Sequence, residues 1–273
     1  MSHSEYVFFT KNEDERSWLL TLLPEIGFEG FEETNESLKA YIPTENCDEL
    51  KVKQLLTDND FQHLGYSVKT IEEKNWNEEW ERNFEPVVVA GKVAIRAPFH
   101  PAIKAPLELV IEPKMSFGTG HHATTALMIE MLLKENPVNK TVLDFGSGTG
   151  VLAILAEKLG AQSVLAVDNE EWAFKNCREN MERNGCGKIT AIQGDDLFVF
   201  DTRFELILAN INRHVIMRNL DKWHGLLTIP GMLIVSGILV NDEQDVCASA
   251  LETGFKLKGK LSAGGWLALA FVV

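Results

Sequence analysis

Cysteine is scarce in this chain. The 273 residues contain four, Cys47, Cys177, Cys186 and Cys247, and none forms a Cys-x-x-Cys pair or stands near a histidine at zinc-binding spacing. They read as free thiols of a reducing compartment, which excludes a disulfide scaffold or a zinc ribbon. Basic residues are also short: 26 Lys and Arg face 40 Asp and Glu, a formal net charge of −14. That balance argues against holding nucleic acid by its phosphates and permits a basic partner. No apolar run approaches the roughly 20 residues of a membrane span. The opening MSHSEYVFFT lacks the basic start and apolar core of a secretory signal. A cytoplasmic protein with no membrane contact is expected. Repeats and low-complexity tracts are missing too, while an apolar fraction of 45% suffices for a packed core.

What is present falls into three parts. Residues 1–72 alternate short strands and helices in the order β-α-β-β-α-β, the ferredoxin-like pattern. Asn12 stands as a candidate cap of the first helix, which carries Trp18, Leu19, Leu22 and Leu23 at helical spacing. This segment holds 15 acidic and 6 basic side chains, so most of the chain's surplus acid sits in about a quarter of it. Such a surface is either plainly solvated or a docking face for a basic partner. Residues 73–86, around NWNEEWERNFEP, space Trp76, Trp80 and Phe84 four apart, which predicts a linker helix with an aromatic stripe. Residues 87–273 begin with short strands. From Lys140 they become near-continuous apolar strands alternating with helices, the mark of a parallel sheet covered on both faces. The end, with Gly264-Gly265 between two strands, predicts an antiparallel closing pair.

The chemistry lies at the strand ends. VLDFGSGTG, residues 142–150, runs a strand through Gly146, Gly148 and Gly150 directly into a helix, which allows close backbone approach to a ligand. A dinucleotide loop spaces its glycines G-x-G-x-x-G, and here Val151 occupies the third glycine position. G-x-G-x-G with Asp144 ahead of it instead fits the loop of a sulfonium cofactor, S-adenosylmethionine. Asp168 ends the next strand, where a carboxylate can accept both ribose hydroxyls or cap a helix starting at Asn169. In GDDL, Asp195 or Asp196 is placed to contact an adenine edge or simply to form a turn. LANIN, residues 208–212, puts two amides at the end of the fourth strand, and the Asn210 carbonyl oxygen can accept a bond from a substrate amine. FGTGHHATT, residues 117–125, looks like a phosphate loop, a metal site and a helix cap at once. Adjacent residues of a helix project about a hundred degrees apart, so His121 and His122 make a poor metal pair, and no metal is expected.

Together FGTGHHATT, LDFGSGTGVLAI, AVDNE and LANIN closely resemble the PrmA family of methyltransferases, which modify protein eleven of the large ribosomal subunit. The resemblance spans nearly the whole chain. It implies a Rossmann-like class I methyltransferase sheet, α/β and mostly parallel with an antiparallel C-terminal strand, behind a small ferredoxin-like domain that recognises the target. It implies S-adenosylmethionine contacts at Thr125, Gly146, Asp168 and Asn210, with Phe117, Gly118, Gly148, Asp144 and Asp195 added from the motifs. Asn210 is the candidate for orienting the amine, and Thr125 is expected to offer its hydroxyl and free backbone N–H groups to the cofactor carboxylate. The amines implied are an N-terminal α-amine and lysine side chains of a basic ribosomal protein, methylated by a monomer. ANIN stands where many amine methyltransferases carry Asn-Pro-Pro-Tyr. No aromatic residue follows Asn210 closely, which speaks against a stacking clamp on the amine. The rival readings are a class I methyltransferase with another substrate, a nicotinamide oxidoreductase, and a ribosome-associated binding module without activity.

Overall fold

A computed structural model describes residues 2–71, 84–114, 116–194 and 202–273. The linker helix expected over 73–86 lies outside these residues apart from its last three, and so do Asp195 and Asp196. Residues 84–86 are not helical: Pro86 biases Glu85 toward extended backbone. The chain divides into two compact units, Met1–Asn83 and Phe84–Val273.

In the first unit β1 (His3–Phe9), β2 (Gly30–Glu33), β3 (Ser37–Pro43) and β4 (Tyr66–Ile71) form one antiparallel sheet in the order β2-β3-β1-β4. The helices α1 (Glu13–Leu22) and α2 (Glu49–Asp58) follow β1 and β3, giving the ferredoxin-like arrangement. Asn12 and Asp48 cap them, each accepting an N–H in the first turn. Alternation along β1 sends Tyr6 and Phe8 into a core with Leu19, Leu23, Leu38, Ile42 and Val52. Trp18 does not join them. It is 58% exposed, because the helix face that buries Leu19 and Leu23 leaves its neighbour outside.

The second unit opens with a small sheet, β5 (Val87–Val89), β6 (Val93–Arg96) and β7 (Leu107–Val110). After it come α3 (Ala123–Glu135), β8 (Thr141–Phe145), α4 (Val151–Lys158), β9 (Ser163–Asp168), α5 (Glu171–Arg183), β10 (Ile189–Gln193) and β11 (Phe204–Asn210). The chain continues through α6 (Arg213–Leu226), β12 (Leu227–Leu239), α7 (Glu243–Glu252), β13 (Lys256–Ala263) and β14 (Trp266–Val272). The seven long strands order as β10-β9-β8-β11-β12-β14-β13. All pairs are parallel except those of β14, which runs antiparallel between β12 and β13. The closing antiparallel pair is thus present, with the last strand inserted beside β12.

Two cores explain the continuous apolar strands. Val142, Leu206, Leu208 and Ile234 pack under α3, α4 and α5. Leu143, Ile207, Ala209 and Val235 point the other way, under α6 and α7 with Trp223 at the centre. Every second residue serves one face, so neither set can be polar. The chain order reverses between β8 and β11, and the crevice at the carboxyl ends of these strands is where such sheets bind ligands.

Candidate active site

The crevice is built from three loops. After β8 the chain turns through Gly146 and Gly148, both at positive φ (+73° and +54°). A Cβ on Gly146 would lie 2.4 Å from Ile211 Cγ2, and one on Gly148 would lie 2.3 Å from the Phe117 carbonyl oxygen. Glycine is therefore required by contact as well as by conformation. The loop is tied to β9: the N–H groups of Gly146 and Ser147 donate to Val167 O, and Gly148 N–H donates to Asp168 Oδ2 at 2.8 Å. The other oxygen of Asp168 accepts from Glu170 N–H at 3.1 Å. Asp168 does not cap a helix from Asn169, since α5 starts two residues later, at Glu171, with Glu170 as its N-cap. A carboxylate offers about four acceptor sites, so two remain on Asp168 for a ligand.

Asp144 plays a different part. It is buried, and its Oδ2 accepts Ala153 N–H at 3.0 Å. Gly150 precedes α4 with no side chain to cap it, and Asp144 supplies that acceptor from β8. Burial, with a smaller contribution from the Asp168 charge, pushes the Asp144 carboxyl up to about 7.

The segment before α3 packs across the glycine loop. Phe117 O accepts Thr149 N–H at 2.9 Å, and Gly118 O accepts the Thr149 hydroxyl at 2.8 Å. His122 is the N-cap of α3: its Nδ1 accepts Thr124 N–H, and its ring stands edge-on to Phe117 and Trp266. His121 turns away, with Nδ1 on the Thr119 hydroxyl and Nε2 on Glu85 O. The two histidines are a cap and a loop tether.

Two cavities open on either side of Ile211 and Asn212. One, of about 220 Å³, is lined by Phe145, Gly146, Val167, Asp168, Gly194 and Arg218 among others. The second, of about 270 Å³, is lined by Phe117, His122, Thr124, Asn210, Gly237 and Trp266. Asn210 ends β11. Its Nδ2 donates to the Thr125 hydroxyl at 3.4 Å, and its Oδ1 is buried without a hydrogen-bond partner among the described residues. An orphaned buried acceptor is costly, and this one belongs to a residue that lines the second cavity.

Of the residues singled out in the sequence, Gly146 and Asp168 line the first cavity and Phe117 and Asn210 the second. Gly118, Gly148, Thr125 and Asp144 line neither. Thr125 is fully buried, and its N–H is taken by His122 O, so the free amide expected there is not available. The nearby sequence offered no aromatic residue beside Asn210, yet the fold brings Phe117 and Trp266 to the same cavity from distant segments. Arg218, Val215 and Trp266 were not foreseen. The legible hint of Trp266 was its place directly after the Gly264-Gly265 turn.

Comparison with known proteins places this geometry. The family described as "Ribosomal protein L11 methyltransferase (PrmA)" matches residues 11–273. A ribosomal protein L11 methyltransferase of Porphyromonas gingivalis is 41% identical over 254 residues, 91% of this chain and 88% of that protein. One from Bacteroides thetaiotaomicron is 36% identical over 278 residues, covering 99% of each. Among solved structures, a ribosomal protein L11 methylase from Lactobacillus delbrueckii subsp. bulgaricus superposes with TM-score 0.64 at 30% identity, covering 69% of this chain and 98% of that one. A methyltransferase from Pyrococcus furiosus shares the fold, at TM-score 0.51 and 20% identity over 60% of this chain and 88% of its own. The fold is the class I methyltransferase sheet, and by family match and near full-length similarity the chain belongs to the ribosomal protein L11 methyltransferase family.

Proposed function

We propose that this protein transfers methyl groups from S-adenosylmethionine to amines of ribosomal protein L11, its N-terminal α-amine and lysine side chains. The observation that carries this reading is Asn210 Oδ1, a buried acceptor without a partner beside an aromatic-walled cavity. The residues fit the cofactor: Asp168 keeps acceptor sites for ribose hydroxyls, and Gly146 lines the same cavity. Gly146, Asp168 and the Phe117–Gly118 stretch would hold it, with Asp195 in the same role on the notion that it meets the adenine edge. Asp144, Gly148 and Thr125 would act from behind, by fixing the loop and Asn210. The first unit, with its acid surplus, would recognise the basic target.

When bound, S-adenosylmethionine supplies a methyl carbon made electrophilic by its sulfonium. The chain supplies position and dryness. Asn210 Oδ1 accepts an N–H of the incoming amine and aims its lone pair. The amine must be neutral: an α-amine has a pKa near 7.7–8.0, and lysine one near 10.4. A pocket walled by Phe117, Ile211 and Trp266 disfavours the ammonium by desolvation. Among the described lining residues His122 alone carries a basic ring nitrogen, and its Nδ1 accepts Thr124 N–H, so the amine proton leaves to water.

The test combines calorimetry with S-adenosylmethionine and with NAD, and mass spectrometry of purified L11 after incubation. Binding of S-adenosylmethionine and mass gains in methylene steps are expected. Binding of NAD alone, or cofactor binding with L11 unchanged in mass, overturns the reading.

A further inference from the structure

Helix α5 and its C-cap carry three asparagines, Asn176, Asn180 and Asn184, spaced four apart and all buried. That spacing puts them on one face of the helix. Asparagine is a poor helix former, and a buried amide must find partners for both its ends. A ladder of three therefore calls for an explanation beyond packing.

Their partners lie in the two segments that wall the proposed cofactor site. Asn184 Oδ1 accepts Val110 N–H at 2.9 Å, and its Nδ2 donates to Val110 O at 2.7 Å and Asn180 O at 2.8 Å. Asn180 Oδ1 accepts Glu112 N–H at 2.9 Å, and its Nδ2 donates to Thr149 O at 3.0 Å. Asn176 Nδ2 donates to Glu112 O at 3.4 Å, while its Oδ1 finds no partner among the described residues. Outside this buried row, Lys114 pairs with Glu179 at 2.6 Å and Arg183 with Glu112 at 3.0 Å. The stretch that leads from β7 toward Phe117 is thus bound to α5 and its C-cap at Val110, Glu112 and Lys114.

Thr149 closes the circuit. It is fully buried and spends every polar group on this junction: its N–H on Phe117 O, its hydroxyl on Gly118 O, and its carbonyl on Asn180 Nδ2. From Asn180 the connection runs to Glu112, along the chain to Phe117 and Gly118, across to Thr149, and back. The glycine loop and Phe117 belong to one hydrogen-bonded ring, with Asn180 joining its two arms.

We infer that Asn180 is a positioning residue for the proposed methyl transfer, holding the glycine loop and the Phe117 segment in fixed register so that cofactor and amine walls form together. The inference rests on the reading that S-adenosylmethionine binds at the glycine loop. Asn180 touches neither cavity and acts through Thr149 and Glu112.

Asn180→Asp keeps the acceptor for Glu112 N–H and turns an oxygen toward the Thr149 carbonyl, so it cuts one arm alone. Loss of that bond, with repulsion in its place, lowers S-adenosylmethionine affinity by about tenfold or more in calorimetry. Excess cofactor restores most of the turnover. Asn184→Ala is the control: it removes three hydrogen bonds of the same ladder but none to the loop, so it lowers the melting temperature while affinity stays within about twofold. Wild-type affinity in Asn180→Asp, or equal affinity losses in both variants, overturns the inference. Should Asn180→Asp fail to fold, amide exchange on the wild-type protein decides. Cofactor must slow exchange at Glu112 together with Thr149, and protection of Thr149 alone overturns the coupling. Wild-type protein that binds no S-adenosylmethionine overturns the underlying reading, and the inference with it.

Discussion

Gly148→Ala tests how tightly the glycine loop is fitted to the segment before α3. Two costs follow from the structure. At φ +54° the backbone sits in the left-handed region, which disfavours a residue with a Cβ by about 1–2 kcal/mol. The new Cβ would also stand 2.3 Å from Phe117 O, a backbone atom that itself accepts Thr149 N–H. Relief requires the Phe117 carbonyl to retreat, which adds an overpacking cost of about 1–3 kcal/mol and a hydrogen bond of about 1 kcal/mol. Together these come to roughly 3–6 kcal/mol. Gly91→Ala separates the two costs: Gly91 has φ +64°, and a Cβ there meets nothing within 4 Å. Scanning calorimetry of both variants, with calorimetric titration of S-adenosylmethionine, gives the comparison. Gly148→Ala should destabilise the protein by at least about 2 kcal/mol more than Gly91→Ala and should weaken cofactor binding, which Gly91→Ala leaves intact. Equal destabilisation by the two substitutions would refute the argument that the Phe117 carbonyl fixes the loop.

Two further outcomes are expected. Asn210→Ala removes the orphaned acceptor and should cut turnover about a hundredfold while cofactor affinity changes far less; equal effects on both would remove its orienting role. Asp144→Asn should flatten the pH dependence of the melting temperature. The folded carboxyl titrates at about 7, above the ordinary aspartate value near 3.9, so the folded state holds the proton longer than the unfolded chain. Wild-type stability attributable to Asp144 therefore falls as pH rises through that window and levels off above it. The neutral amide keeps an acceptor for Ala153 N–H, so the variant should gain on the wild type between pH 5 and 8 by a margin that grows with pH. A constant difference across that range would show that Asp144 is not the titrating group.

The features legible in the sequence were those set by neighbours along the chain. The strand that holds Tyr6 and Phe8, the capping residue Asn12 and the apolar strand that carries Asp144 all depend on local geometry, and local geometry is written in residue order. The same holds for the glycine loop, for Asp168 at its strand end and for Asn210, because a parallel sheet gathers the ends of its strands at one edge. Trp18 was misleading, since a helical stripe tells which residues share a face but not where the buried face stops.

What the sequence by itself determined, then, is the pair of folds and the sheet edge at which Gly146, Asp168 and Asn210 gather. Only the tertiary structure decided how those residues divide their work. Thr125 and Asp144 face inward, onto Asn210 and Ala153, because the close packing of α3 and α4 on the sheet leaves them no route to either cavity. Trp266 joins Phe117 and Asn210 because β14 inserts next to β12, a pairing that depends on contacts between strands and on no local signal. Asn180 and Asn184 meet Val110, Glu112 and Thr149 for the same reason: which backbone satisfies a buried amide is fixed by packing across the fold.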